Sequence, residues 1–272
     1  MSGLTLTLKS PPAQRLNFAQ ITPEKLKGLS EREIAAISVG VIREPVLLGD
    51  VFNIVMGDVD NIRIAGSSDR VDHVGWGMSA GAITVEGPTG AYSGCNLSGG
   101  SLTIKGDAGP WAGSGQSGGK IEITGHAGDS AGGALPGAAS GMRGGVLIVR
   151  GKVGARAGDR MRRGLLMIEA KAGDYLGASM IAGTIVAMQG AGVYPGYLMN
   201  RGTIILDGGA GELPPGFMDC GPQELVVMRL MAKAIAPLNK QLAGRFAAPV
   251  RRYAGDMAAF GGGEIVAFEA LR

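Results

Sequence analysis

Short stretches of alternating apolar and polar residues recur through the middle of the chain. Apolar pairs two positions apart lie at Ile83/Val85, Leu102/Ile104, Ile121/Ile123, Leu147/Val149, Leu166/Ile168, Ile185/Ala187 and Ile204/Leu206. A spacing of two places both members of a pair on one face of a β-strand. Successive pairs are nineteen residues apart, except for one step of 26. The pattern therefore predicts one short strand per repeat and a seven-residue insertion before Gly145.

Glycine follows the same period. One set comprises Gly81, Gly100, Gly119, Gly145, Gly164, Gly183, Gly202 and Gly221, and a Gly-x-x-Gly-x-x-x-Gly motif follows the early strands, first at Gly87/Gly90/Gly94. A fixed period of this length indicates stacked units, and nineteen residues suit one coil of a β-solenoid. The sequence predicts an all-β fold, a right-handed parallel β-helix of about seven to eight coils. A divergent first coil is expected at Ile62/Ile64.

Two further columns share this register. The first, expected to be buried, comprises Met78, Leu97, Gln116, Met142, Met161, Met180, Met199 and Met218. The second comprises Tyr92, Trp111, Ser130, Arg156, Tyr175, Tyr194 and Leu213. Its aromatic rings are expected to stack, with Arg156 in a cation–π contact. The pattern favours a structural ladder over an exposed stripe that binds a partner.

The residue between each apolar pair is expected to point outward. It is polar in the early repeats but apolar in the late ones, where Ile148, Met167, Val186 and Ile205 form a row. An outward apolar row of this length must be covered by other protein residues, because a large exposed apolar surface is unfavourable in water. The cover is either a partner protein or the segment after Gly221, where Pro222 suits a first helical position, Leu225 to Ile235 have helical spacing, and Pro237 ends the helix.

The two ends of the chain are expected to cap the solenoid. Residues 1–60 are predicted to form a small α/β cap, with a helical turn from Thr22-Pro23 and a capping box at Ser30/Glu33. Residues 61–221 form the repeats. Residues 222–272 form a cap with a helix and a strand at 264–268, and all three parts are expected to make one structural unit.

Composition points to a globular protein. The chain has 272 residues, 49 glycines and a net charge of +3. Cys95 and Cys220 are expected to be free thiols. The sequence shows neither a signal-peptide pattern nor an apolar stretch of about 20 residues that could span a bilayer. We therefore expect a cytoplasmic protein that binds no membrane.

Candidate catalytic residues are few. The two histidines, His73 and His126, occupy different registers, and no Cys/His cluster suits zinc. Asp69 and Asp72 lie near His73, but aspartates that cap turns explain this concentration more simply. We predict no catalytic residue and no metal site.

Basic residues are concentrated in one stretch. It contains Arg143, Arg150, Lys152, Arg156, Arg160, Arg162, Arg163 and Lys171. It is either a solvated positive face or a docking patch for an acidic protein partner or a polyanionic ligand. Because no aromatic-studded basic groove accompanies it, nucleic acid is not expected as a partner.

The glycine motifs, most of them closed by Met-x-x-Gly, resemble those of the C subunit of formylmethanofuran dehydrogenase and of the bacterial formyltransferase/hydrolase complex. The resemblance covers residues 47–221, including Leu48-Gly-Asp-Val-Phe52. A similar β-helix closes the large subunit of glutamate synthase. A chain that ends soon after the repeats fits the C subunit better.

This resemblance implies a non-catalytic scaffold subunit without a bound cofactor, inactive as a lone chain. The implied partners are an amidohydrolase-like subunit, a formyltransferase subunit and a further subunit. The implied complex passes a formyl group from formyl-tetrahydromethanopterin to methanofuran and releases formate, a step of one-carbon metabolism in methylotrophs. An acidic tail of a methanofuran-type cofactor is a candidate ligand for the basic stretch.

Three alternatives stay open at this point. The chain could belong to a tungsten or molybdenum formylmethanofuran dehydrogenase, or act as a stand-alone glutamate-synthase-like regulatory domain. An independent enzyme would need converging acids or bases that the sequence does not show. The composition, rich in Ala, Arg and Gly and poor in Lys, favours a bacterial source and the hydrolytic complex.

Overall fold

The computed structural model describes residues 3–42, 45–246 and 248–268. Its strands are β1 (Gly3–Leu8), β2 (Leu16–Asn17), β3 (Phe52–Val55), β4 (Asp58–Ala65), β5 (Val71–Asp72), β6 (Ala82–Glu86), β7 (Ser101–Lys105), β8 (Lys120–Ile123), β9 (Arg143–Val149), β10 (Arg163–Ile168), β11 (Thr184–Ala187), β12 (Arg201–Asp207), β13 (Met218–Gln223), β14 (Val250–Gly255) and β15 (Gly262–Phe268). Its helices are α1 (Pro23–Leu26), α2 (Glu31–Ala35), α3 (Leu48–Val51), α4 (Val226–Ile235) and α5 (Lys240–Arg245).

Thirteen strands form one large sheet in the order β13-β14-β15-β12-β11-β10-β9-β8-β7-β6-β4-β1-β3. From β6 to β12 each strand pairs in parallel with the next one along the chain. The register joins residues nineteen apart, such as Ile83 to Leu102, except across the insertion, where Ile121 meets Leu147. The predicted all-β class and the predicted parallel strands are confirmed. The divergent first repeat is also present, because Ile62 of β4 pairs with Ile83.

A second line of contacts runs beside the sheet at the same period. Parallel bridges connect Thr89, Ala108, Ala127, Val153 and Ala172 in that order. The buried residues of the alternating pairs fill the space between this line and the sheet. The first two glycines of each motif allow this stacking, because a Cβ on Gly109 would lie 2.6 Å from the carbonyl carbon of Gly90. The third glycine supplies a left-handed backbone, with φ of +70° at Gly113.

The predicted methionine column is buried from Met78 to Met199, Gln116 included. Met218 is a correction, because its side chain is 58 % exposed. At this point the chain leaves the repeat: β13 pairs antiparallel with β14, and β15 takes the place beside β12 that an eighth repeat would fill. Gly221 therefore lies at the outer edge of the sheet rather than before another parallel strand.

Both ends of the described chain are built into the sheet. β1 pairs in parallel with β4 and antiparallel with β3. Thr22 precedes α1, and the capping box at α2 is present, with the Ser30 and Glu33 side chains each accepting from the other residue's backbone N–H. The predicted last strand is β15, and the predicted end of α4 before Pro237 is confirmed. The predicted start of that helix is wrong, because Pro222 lies in β13 and α4 begins at Val226.

Candidate docking surfaces

The eight basic residues of the stretch 143–171 do not form one patch. The stretch is longer than one nineteen-residue repeat, so its members belong to more than one repeat. Its members occupy three positions in the repeat. Arg143, Arg162 and Arg163 lie at strand starts, Arg150, Lys152 and Lys171 follow strands, and Arg156 and Arg160 lie on the turns beyond.

Arg150 is neutralised within the fold. Its guanidinium group pairs with Glu122 at 2.8 Å and also with Glu169. The hydrogen bond to Glu122, with the further charge of Glu169, raises the pKa of Arg150. Hydrogen bonds from Lys120 and Arg150 lower the pKa of Glu122. Glu169 also accepts a hydrogen bond from Asn239, whose side chain caps α5, so this network fastens the C-terminal segment rather than binding a ligand.

Two more members of the stretch have internal contacts. Arg156 pairs with Asp159 at 2.9 Å, so the predicted cation–π contact of Arg156 is replaced by an ion pair. Burial raises the pKa of Asp159 against the opposing effect of Arg156. The backbone N–H of Lys152 donates to Nδ1 of His126 at 2.9 Å, which gives that histidine a structural role.

The strand-start arginines keep their charge available. Arg143 and Arg163 are direct neighbours in the register of β9 and β10. Both are exposed, as is Arg162. In the described part of the chain, no carboxylate lies within salt-bridge distance of any of the three. This corner of the molecule groups three unneutralised charges of the basic stretch. Lys152, Arg160 and Lys171 are also exposed and have no carboxylate at that distance in the described ranges, but they lie at other positions of the repeat.

The seven-residue insertion forms an open depression of ≈ 230 Å³ beside this corner. It is lined by Leu135, Ala138 and Ser140 of the insertion and by Asn96 and Arg143. Arg143 donates to the carbonyl oxygen of Gly115 at 3.4 Å, and Arg160 donates to that of Ala138 at 3.2 Å. These contacts hold the insertion against the repeats.

The aromatic column has an unusual backbone. Seven non-glycine residues at one register have φ between 56° and 65°: His73, Tyr92, Trp111, Ser130, Arg156, Tyr175 and Tyr194. Each donates its backbone N–H to a carbonyl of the following repeat, as Tyr92 does to Pro110 at 2.9 Å. Such a backbone is rare for large side chains, so these bonds compensate its steric cost.

The predicted stacking of the rings is present in the first part of this column, whereas Tyr175 and Tyr194 are tilted by 56°. Tyr92 lies parallel to Trp111 with ring centroids 5.3 Å apart, and His73 stacks on Tyr92 at 4.9 Å. A second group joins Tyr175 to Tyr194 at 6.0 Å. The rings are half-buried, so the column is a structural ladder that shows one edge to solvent.

The acidic residues near His73 have structural partners. Asp72 pairs with Arg15 at 2.5 Å and accepts the backbone N–H of Ala91 at 2.8 Å. His73 stacks on the ring of Tyr92 and also contacts the ring of Trp76, and burial lowers the pKa of His73. Over residues 3–42, 45–246 and 248–268, no three His, Cys, Asp or Glu side chains converge in a way that could hold a metal ion.

The two cysteines are free thiols in different environments. Burial raises the pKa of Cys95 to about 12, against the opposing effect of hydrogen bonding with Ser114. A thiol with such a pKa is not a nucleophile at neutral pH. Cys220 lies half-buried in β13.

The apolar outward row is covered by the chain itself. Ile148, Met167, Val186 and Ile205 are fully buried. They pack against residues of α4, of α5 and its C-cap, and of β14 and β15, namely Met228, Ile235, Leu242, Phe246, Val250, Val266 and Phe268. Of the two covers considered from the sequence, the segment after Gly221 is the one present, so this row is core rather than an open docking surface.

No helix in the described part of the chain is long and apolar enough to cross a bilayer.

A similar sequence and a similar architecture occur in a known complex. No protein-family model matches the chain. A curated relative, the C subunit of the formyltransferase/hydrolase complex Fhc of Methylorubrum extorquens, is 43 % identical over 86 residues, 32 % of each protein. The aligned segment thus spans about a third of that relative. A chain in the crystal structure of the FhcABCD complex of Methylorubrum extorquens with methylofuran is 41 % identical, with a TM-score of 0.93 over 98 % of this chain and 100 % of that chain.

Proposed function

The chain belongs to the family of the C subunit of the formyltransferase/hydrolase complex, and we propose that it is the scaffold subunit of such a complex. The observation that carries the proposal is the likeness over the whole length, which extends over 98 % of the chain. In this proposal the complex passes a formyl group from formyl-tetrahydromethanopterin to methanofuran and releases formate.

A scaffold role agrees with what the reactive side chains do. His126 accepts a backbone N–H, His73 stacks on Tyr92, and Cys95 has a strongly raised pKa. Each of these groups is engaged in holding repeats together. We propose that the catalytic residues lie on an amidohydrolase-like subunit and a formyltransferase subunit, that methanofuran and tetrahydromethanopterin derivatives bind there, and that the lone chain is inactive.

We also propose that the repeats form a right-handed parallel β-helix. Two ladders support this, the parallel sheet and the line of bridges from Thr89 to Ala172, because both advance by one repeat per step. The handedness follows from the preference of parallel crossovers. Residues 1–60 and 222–272 would cap residues 61–221 as one unit, although β4, which begins at Asp58, crosses the first of these boundaries.

For the basic stretch, the proposal narrows to its strand-start members. Arg143, Arg162 and Arg163 are exposed and have no carboxylate partner among the described residues, so they suit an acidic protein partner or an acidic cofactor tail. Arg150 and Arg156 are neutralised internally and are not expected to contribute. Neither nucleic acid nor a membrane is proposed as a partner, and the cytoplasm is the proposed location.

The alternatives raised by the sequence are less well supported. The similar structure is a formyltransferase/hydrolase complex bound to methylofuran, which does not favour a tungsten or molybdenum dehydrogenase. It also does not favour a glutamate-synthase-like regulator, because a chain of that complex is matched from end to end.

The test is purification of the tagged chain from its native cells, followed by mass spectrometry and by assays of formyl transfer and formylmethanofuran hydrolysis. We expect amidohydrolase-like and formyltransferase subunits to co-purify, with both activities in the complex and neither in the lone chain. Co-purification of a molybdopterin or tungsten protein, or turnover by the lone chain, would contradict the proposal.

A further inference from the structure

The turn between β14 and β15 exposes two large apolar side chains. Phe260 is 85 % exposed, more than any other large hydrophobic residue in the described ranges, and Met257 is 55 % exposed. Both lie in the six-residue turn 256–261 that joins these antiparallel strands. A turn that connects neighbouring strands has no need of an exposed phenylalanine for its own stability, because an apolar ring in water is unfavourable.

The turn has a fixed backbone. Asp256 is only 1 % exposed, and its carboxylate accepts the N–H groups of Ala258 at 2.9 Å and Leu198 at 3.0 Å. Its carbonyl oxygen accepts the N–H groups of Ala259 and Gly261, both at 3.0 Å. Phe260 is therefore presented from an ordered turn that is tied to the repeats at Leu198. An aromatic residue held in this way loses little conformational entropy on binding, which favours its use as an interface anchor.

One arginine lies beside this turn, and a second lies two strands away. Phe260 lines an open depression of ≈ 360 Å³ with Ile181, Asn200 and Arg201. Arg201 begins β12 and is the direct neighbour of Gly262 in β15. Arg163 occupies the same register two strands away, because Leu165 pairs with Thr184 and Thr184 with Thr203. At the usual strand spacing of about 4.8 Å, the two arginines begin strands about 10 Å apart.

Both arginines are exposed, and neither has a carboxylate within salt-bridge distance among residues 3–42, 45–246 and 248–268. Arg143 extends the row by one more strand. The surface thus combines one rigid apolar anchor with a line of unneutralised positive charge. Its complement is an apolar pocket with carboxylates at its rim.

We propose that the β14–β15 turn, with Arg163 and Arg201, is a docking surface for another member of the complex, one that offers an acidic-rimmed apolar pocket to Phe260. A second copy of this chain fits poorly, because a symmetric contact would oppose the same arginines in both copies. The inference rests on the proposed function, since it requires a multi-subunit complex.

The experiment compares three variants of the tagged chain within the full complex: Phe260→Ser, Arg201→Glu and Val55→Ser. Val55 is the matched control, an exposed apolar residue on β3 at the opposite edge of the sheet. The variants are isolated with the amidohydrolase-like and formyltransferase subunits, and affinity is measured by reconstitution from purified components. Melting temperatures of the lone chains show whether each variant folds.

We expect Phe260→Ser to weaken the binding of one partner protein by about 30-fold or more, as for an aromatic anchor, without a change in melting temperature. Arg201→Glu should weaken the same step and reduce its salt dependence, while Val55→Ser should bind like the wild type. A Phe260→Ser chain that assembles with wild-type affinity would overturn the inference. So would a dimer of the lone chain that Phe260→Ser dissociates, because it would assign the surface to a second copy.

The proposed function and the docking surface are contradicted by different results. A wild-type chain that brings down no amidohydrolase-like or formyltransferase subunit would contradict the scaffold role itself. If the wild-type chain and the Phe260→Ser chain both assemble fully, the scaffold role stands and only this docking surface is contradicted.

Discussion

At the scale of single residues, the repeat depends on backbone conformations that its side chains do not favour. Besides the aromatic column, Asn96, Arg160, Ser179 and Leu198 also have positive φ, at a second shared register. The stack imposes these conformations because each repeat must bond to the next, as the N–H of Ser179 reaches the carbonyl of Tyr197 at 2.7 Å. The hydrogen bonds between repeats therefore override the backbone conformation that each of these residues would otherwise favour.

This argument predicts that Ser179→Gly stabilises the protein. Ser179 has φ of 51°, and its N–H bond to Tyr197 does not involve the side chain. Removing the Cβ relieves left-handed strain of about 1–2 kcal/mol and adds about 0.5–1 kcal/mol of backbone entropy cost, for a net gain of about 0.5–1 kcal/mol. Urea denaturation followed by circular dichroism measures the change.

The control is Ser101→Gly in β7, where φ is not positive and glycine weakens the strand by about 0.5–1 kcal/mol. Equal losses of stability in the two variants would show that Ser179 carries no strain.

Only part of this could be predicted from the sequence. The glycine period indicates where the backbone needs φ > 0 or a close approach, and Gly109 and Gly113 meet those expectations. Tyr92 and Trp111 give no such signal, because nothing in an aromatic side chain favours a left-handed backbone. Their conformation follows only from the register of the stack.

At the scale of elements, α4 shows how the C-terminal segment is divided between core and surface. Met228 is buried against the apolar row, whereas Leu230, two residues later, is 63 % exposed. The helical spacing in the sequence predicts the buried face correctly. The start of α4 was missed because Pro222 suits both a helix start and the edge strand that it occupies, where the proline is paired only with Arg251.

We predict that Met228→Ala lowers the free energy of unfolding by about 2–5 kcal/mol, because it leaves a cavity above the apolar row. Leu230→Ala, on the same helix, should change it by less than about 0.5 kcal/mol. Thermal or urea unfolding of the two variants checks the pair. A loss for Leu230→Ala as large as that for Met228→Ala would mean that α4 packs through a different face.

At the scale of the whole molecule, distance along the sequence is a poor guide to distance in space. The basic stretch looks continuous in the sequence, yet Arg150 joins the network around Glu122, whereas Arg163 lies at the corner with Arg201. The sequence could not show that Arg201 and Phe260 join this corner, because their proximity depends on β15 taking the place beside β12. The parallel strands were predictable from the period, whereas the docking surface required the register of every strand.

A stack of this kind is held together by contacts between neighbouring repeats, so its stability is close to a sum over repeats. Removing residues 101–119 would delete one nineteen-residue unit and join Gly100 to Lys120 in the register that Gly119 now provides. β6 would then pair with β8, and Leu97 would meet Met142 in the buried column. The deleted β7 lies outside the C-terminal cover, whose contacts are with the row from Ile148 to Ile205.

We therefore expect the chain without residues 101–119 to fold, to keep its β-sheet circular dichroism and to unfold in one transition at a lower temperature. Removing only residues 101–110 is the control, because that deletion breaks the nineteen-residue register and places polar residues where the buried columns run. Circular dichroism and calorimetry of both chains distinguish the outcomes. If the two deletions are equally damaging, the repeats are not interchangeable units, and the β-helix proposed for residues 61–221 must be abandoned. If only the shorter deletion prevents folding, the stability of the molecule resides in the contact between one repeat and the next.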